Sequence, residues 1–141
     1  MTNITLDGNA LRYISVFERV TKTVVKDCIE TPEKLVFIVA TGHIGAAIGK
    51  KGENIKRLYE LFKKNLDVIE YSDDPERFLR NIFHNYKIKG VTIEKRGNKI
   101  HATVSVESKD KGKIIGKDGR NLKLARDILG RHHNIESLSI D

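Results

Sequence analysis

The chain has 141 residues with 26 Lys and Arg against 19 Asp and Glu, a formal net charge of +7, 39% hydrophobic residues and one Cys. That length suits one ordinary domain or two small ones of about 70 residues each, near the lower limit for independent folding, and the excess positive charge points toward a polyanion without saying which. No apolar run reaches the roughly 18 residues that cross a bilayer, Met1 to Asp7 lacks the charged-then-apolar pattern of a leader, and a lone Cys excludes an intramolecular disulfide, so a cytoplasmic, reduced protein is expected.

After Asp7 and Gly8, the apolar residues Leu11, Ile14, Val16, Phe17 and Val20 recur at helical spacing and predict a helix over 8–21. Val24 to Ile29 and Leu35 to Ala40 are β-branched and aromatic runs divided by Glu30-Thr31-Pro32-Glu33, a hairpin whose proline stands where no ladder donor is needed. Cys28, beside Val24, Val25 and Ile29, reads as a buried thiol. His43 to Ile48 predicts a short helix and Gly49-Lys50-Lys51-Gly52 a turn. Ile55, Leu58, Leu61 and Phe62 then mark one face of a helix ending near Asn65, and Val68 to Tyr71 predicts a closing strand.

Ser72-Asp73-Asp74-Pro75-Glu76 starts a further helix, with Asp73 or Asp74 as N-cap and Pro75 in the first turn, ahead of Phe78, Leu79, Ile82 and Phe83. It also marks the expected boundary between a domain over 1–72 and one over 73–141. Lys87 to Arg96 and Lys99 to Glu107 predict a hairpin around Gly97-Asn98, with Ile100, Ala102, Val104 and Val106 alternating against His101, Thr103, Ser105 and Glu107. Lys109 to Ile115 predicts a short helix, Leu122, Ala125, Ile128 and Leu129 a helical face, and Ile135 to Ile140 the last strand. Each half therefore reads αββααβ, an α+β class. Only Tyr71 to Asp74 separate the closing strand from the next helix, so the halves are expected to be rigidly joined and, provided their grooves line up, to offer two weak sites to one ligand strand at high effective concentration.

The halves also share a motif. Ile48-Gly49-Lys50-Lys51-Gly52-Glu53-Asn54-Ile55 recurs 67 residues later as Ile115-Gly116-Lys117-Asp118-Gly119-Arg120-Asn121-Leu122, and Gly45 and Lys56 match Gly112 and Lys123 at the same offset. Two copies in register mean one supersecondary unit used twice. Residues 1–72 hold 11 basic and 9 acidic side chains and residues 73–141 hold 15 and 10, so the second half is the more basic.

Two glycines three apart between helices permit a sharp turn and let another backbone pass without meeting a Cβ. The helix that follows presents free N–H groups and its positive dipole end, an arrangement that favours phosphate. Lys50, Lys51 and Lys117 add charge without demanding a base identity. Beside them, Ile48 and Ile55 in one copy and Ile115 and Leu122 in the other line an apolar trough that suits unpaired bases.

On these residues the chain resembles the K-homology (KH) family, in which Ile-Gly-x-x-Gly-x-x-Ile joins two helices and the loop holds about four nucleotides of single strand. The element order is similar to the type II form, which implies two tandem KH domains, each a mixed three-stranded sheet covered by helices. Ile115 to Ala125 further resembles the second KH copy of the NusA family, and the whole chain is similar to its short archaeal form. That resemblance implies a role in transcription elongation or termination through nascent RNA, with RNA polymerase as a second partner. The RNA-binding residues it implies are Ile48, Gly49, Lys50, Lys51, Gly52 and Ile55 in the first copy, and Ile115, Gly116, Lys117, Asp118, Gly119, Arg120 and Leu122 in the second. Asp118 departs from the simplest clamp because a carboxylate opposes a phosphate. Either Arg120 compensates or Asp118 points away from the strand.

Other signals are weaker. A nucleotide-hydrolysing P-loop needs glycine where Ile44 and Lys111 stand. Adjacent His132 and His133 point about 100° apart on a helix and do not converge on a metal. Tyr59 and Tyr86 read as partly buried helix residues rather than base stackers. No enzyme activity, cofactor, metal or membrane partner is expected, and the chain is expected to act as a monomer. A tandem KH factor of ribosome assembly or RNA decay, and a protein interaction module with vestigial loops, remain as alternatives.

Overall fold

In the computed structural model, which describes residues 8–141, the chain divides into two compact units between Ser72 and Asp73. The reading of Met1 to Asp7 lies outside the described residues. No described helix is long and apolar enough to cross a membrane.

The first unit contains α1 (Gly8–Thr21), β1 (Val25–Glu30), β2 (Lys34–Val39), α2 (Ile44–Ile48), a 3-10 turn over Lys50–Gly52, α3 (Glu53–Phe62) and β3 (Asn65–Glu70). Strands β1 and β2 pair antiparallel, with a register shift between Val25 and Asp27, and β3 joins β2 in parallel. Thr31 closes the hairpin: its N–H and its hydroxyl both reach Lys34 O, and Lys34 N–H donates to Thr31 Oγ1. Phe17, Cys28, Leu35, Phe37, Val39, Ala47, Leu58 and Val68 form the core, with Phe17 and Phe37 stacked at 4.3 Å between ring centroids. Cys28 is buried, as expected, although Val24, counted among its apolar neighbours, is 53% exposed.

The second unit repeats the order as α4 (Pro75–Ile82), β4 (Gly90–Arg96), β5 (Lys99–Ser105), α5 (Ser108–Ile115), a 3-10 turn over Lys117–Gly119, α6 (Arg120–His133) and β6 (Ser137–Ile140). Again the hairpin is antiparallel and the closing strand parallel. Arg96 pairs with Lys99 across Gly97, which takes φ +65°. The alternation of β5 holds: Ala102 and Val104 are buried, as is Val106 just beyond the strand, and His101 and Thr103 bond Ser137 and Ser139 on the opposite face. Two tandem α+β units of three-stranded mixed sheet and helices are thus the architecture that a type II KH pair requires.

Several boundaries differ from the reading of the sequence, among them β3, which begins at Asn65 rather than Val68, β5, which ends at Ser105 rather than Glu107, and β6, which begins at Ser137 rather than Ile135. Helix α3 stops at Phe62 rather than near Asn65, because Lys63 turns left-handed (φ 58°) and Leu66 must pair with Leu35 in the sheet. Helix α6 runs for 14 residues against 10 in α3, ending at a left-handed Asn134. His132 and His133, in its last turn, lie 5.8 and 5.3 Å from the Phe78 ring, a packing role. Strand β4 begins at Gly90 rather than Lys87.

Of the two candidate caps, Asp74 is the N-cap of α4, its carboxylate accepting from Glu76 N–H at 3.1 Å with Pro75 at the start of the helix. Replacing a capping carboxylate by alanine costs about 1 kcal/mol. Asp74→Ala is therefore expected to lower the unfolding free energy measured in urea by that amount, and Asp73→Ala to leave it unchanged.

Candidate functional site

The two repeated loops have the same backbone to within a few degrees. Gly49 and Gly116 stand at φ 79°, ψ 170° and φ 82°, ψ 167°. That region is essentially closed to any side chain. Lys51 and Asp118 are left-handed at φ 55° and 56°, and Gly52 and Gly119 at φ 73°. Left-handed backbone favours Asp and Asn among residues with a side chain, which gives Asp118 a local backbone reason quite apart from any ligand.

Asn54 and Asn121, which also recur in register, explain why the first glycine admits no Cβ. A Cβ on Gly49 would lie 2.9 Å from Asn54 Cγ, and one on Gly116 would lie 2.8 Å from Asn121 Nδ2. These amides cannot swing away freely: Asn54 Nδ2 donates to Ala46 O at 2.9 Å, while Asn121 Nδ2 donates to Lys113 O at 3.4 Å and Tyr86 Oη at 3.3 Å. Each asparagine thus ties the helix after the loop to the carbonyl end of the helix before it. The repeat displayed these residues without revealing that role. Tyr86 is half-buried but lies in the turn beyond α4, not in a helix as expected.

The second glycines face open space, with nothing within 4 Å of a Cβ on Gly52 and only Lys123 Cε at 4.0 Å for Gly119. Gly45 and Gly112 likewise leave the surface of α2 and α5 bare beside the loop. No side chain caps α3 or α6. The 3-10 turns use Glu53 N–H on Lys50 O and Arg120 N–H on Lys117 O, and the remaining first-turn donors are left for solvent or a ligand.

Lys50, Lys51, Lys117, Asp118 and Arg120 are all exposed; Ile48 is 39% exposed, and Ile55, Ile115 and Leu122 are half-buried along the flanks. The structure therefore brings each predicted set together within its own unit. The charges are exchanged rather than lost between copies: the first has Lys50, Lys51 and Glu53, the second Lys117, Asp118 and Arg120. Both segments carry the same net charge, and Arg120 Nε folds back to donate to Lys117 O at 3.4 Å. Weighing Asp118 against Arg120 alone missed Glu53, whose place at the start of α3 supplies the first copy's own carboxylate.

Beyond each loop lies an open groove. In the first unit it measures about 590 Å³ and is lined by Ile55, Lys56, Tyr59, Glu60, Asn65 and Leu66. In the second it measures about 610 Å³, with Lys123, Arg126, Asp127, Gly130, Arg131 and Glu136 among its walls, the longer α6 carrying it further from the loop. Tyr59 is 46% exposed on this groove, contrary to the expectation of a partly buried residue. Among the described residues no cluster of three His, Cys, Asp or Glu could hold a metal.

The unequal demands on the two glycines are measurable. Side chains in the region occupied by Gly49 cost of order 1–3 kcal/mol in strain alone. Gly49→Ala is expected to lower the stability of the first unit by at least that much in urea unfolding, and adding Asn54→Ala to relieve only the steric part. Gly52→Asn, at a left-handed position facing open space, should fall well short of the Gly49→Ala loss.

Comparison with known proteins agrees with this architecture. A model of the NusA-like second KH domain matches residues 75–141, and a KH domain model matches residues 11–73. A protein of Methanocaldococcus jannaschii named probable transcription termination protein NusA is 36% identical over 140 residues, covering 99% of this chain and 76% of that protein. One of the same name from Thermoplasma acidophilum is 32% identical over 140 residues, covering 99% of this chain and 97% of that one. The crystal structure of APE1850 superposes with a TM-score of 0.77 at 38% identity, covering 96% of this chain and all of that one. With both halves matched as KH domains and relatives of this identity spanning nearly its whole length, the chain belongs to the archaeal NusA-like family.

Proposed function

We propose that this protein binds single-stranded RNA through its two Gly-x-x-Gly loops, without catalysis, and acts on nascent transcripts in transcription termination or elongation. One observation carries the RNA reading: the same loop is built twice, each with a bare second glycine, exposed lysine and an uncapped helix N-terminus behind it. That combination offers backbone donors and positive charge to a phosphodiester, while the groove beside it takes bases that are not paired. The transcription role is supported by the names of the relatives, which are called probable transcription termination proteins. Four residues, Tyr71 to Asp74, join β3 to α4.

Fluorescence anisotropy of labelled single-stranded RNA tests the reading. Lys50→Asp with Lys51→Asp is expected to weaken binding about tenfold or more at unchanged melting temperature, and Lys117→Asp to weaken it as well, since each removes phosphate attraction from an exposed site. Affinity should fall as salt rises, with a slope in log–log form of about −0.7 per phosphate contacted, and the charge-reversed variants should show a shallower slope. Binding that is indifferent to all three lysines would remove the loops from the site. Recovery of RNA polymerase, rather than pre-ribosomal particles, from cell extract separates the transcription role from ribosome assembly.

A further inference from the structure

At one position the helix after each loop carries a flat side chain on the groove: Tyr59 in α3 and, 67 residues on, Arg126 in α6. Both are exposed. One helical turn closer to the loop stand the matched apolar flanks Ile55 and Leu122, and the matched pair Lys56 and Lys123 lines the same grooves. Among the described residues, neither the Tyr59 nor the Arg126 side chain has a hydrogen-bond, ion-pair or ring partner, whereas Tyr13, Phe17, Phe37 and Phe62 in the first unit all engage other rings.

A single exposed tyrosine needs no explanation. What does is its replacement in the repeat by arginine, whose guanidinium plane is the non-aromatic surface that stacks on a nucleobase as a phenol ring does. Charge is not the shared property of the two residues, and neither is apolarity; a planar π-face is. The groove is also continuous with the loop through Ile55 in the first unit, so a strand whose phosphates rest at Lys50 and Lys51 brings its next bases to Tyr59. Lysine beside each plane complements the phosphates that such bases carry with them.

We propose that Tyr59 and Arg126 are stacking platforms, each seating one unpaired base of the RNA held by the loop of its own unit. This rests on the RNA-binding reading above and adds to it the residues that meet a base. Stacking of this kind tolerates any base, since each has a π-face, so these two positions strengthen binding and exclude duplexes more than they choose a sequence.

The test compares short single-stranded RNA with an oligonucleotide of the same length and backbone made abasic at successive positions, using wild type, Tyr59→Phe, Tyr59→Leu and Arg126→Lys, each checked for an unchanged melting temperature. Tyr59→Phe keeps the ring and should bind like wild type. Tyr59→Leu keeps apolar bulk and Arg126→Lys keeps charge, but both lose the plane and should bind intact RNA about tenfold more weakly, a loss that disappears where the seated base has been removed. If wild type binds in a lysine-dependent way while Tyr59→Leu and Arg126→Lys equal it, the stacking inference fails and the RNA reading stands. The same follows if their losses persist on every abasic strand, because the side chains would then act through charge or fold. Failure of wild type to bind single-stranded RNA at all overturns both.

Discussion

A glycine with φ near 80° and ψ near 170°, roofed by an asparagine amide, is the constraint on which each half depends. That dihedral pair, essentially reserved for glycine, is how the chain leaves the short helix and re-enters a longer one within a few residues. The asparagine then pins the new helix to the last carbonyls of the old one, so the turn is held by a steric requirement and a hydrogen bond together. Its outer side is free as a result. The second glycine and the first turn of the longer helix face outward, neither covered by a side chain nor capped by one.

Given that fixed backbone, chemical differences between the copies become interpretable. The third loop position must be left-handed, and the chain places lysine there once and aspartate once. Aspartate meets the backbone requirement more easily but brings a negative charge. The position just after the second glycine takes the opposite choice, Glu53 against Arg120, and the two segments end with equal net charge. Equality of the loops in charge does not extend to the grooves behind them: one is walled by Ile55, Tyr59 and Leu66 together with Lys56, Glu60 and Asn65, the other mainly by charged and polar side chains on a helix one turn longer.

Much of this was legible from spacing alone. Periodic apolar residues marked α1 and the faces of α3 and α6, the proline and glycine turns marked both hairpins, and the doubled motif displayed the loops and their flanking residues. What escaped was set by long-range pairing or by exposure. The end of α3 depends on Leu66 finding Leu35, residues 31 apart in sequence, and no local signal competes with that. Asn54 and Asn121 looked like simple matches until their contacts with the first glycines were visible. Tyr59 sits on a helix whose apolar face is clear, and only its actual exposure separates it from that face. Asp73 and Asp74 were equivalent as caps in sequence, and the bond to Glu76 N–H distinguishes them.

The most direct measurement is an amide-detected NMR titration of the protein with short single-stranded RNA. The account predicts that the largest shifts fall on the backbone amides from Gly49 to Ile55 and from Gly116 to Leu122, because those donors and their helix N-termini meet the phosphates. Shifts concentrated elsewhere, with both loops unmoved at saturating RNA, would contradict it.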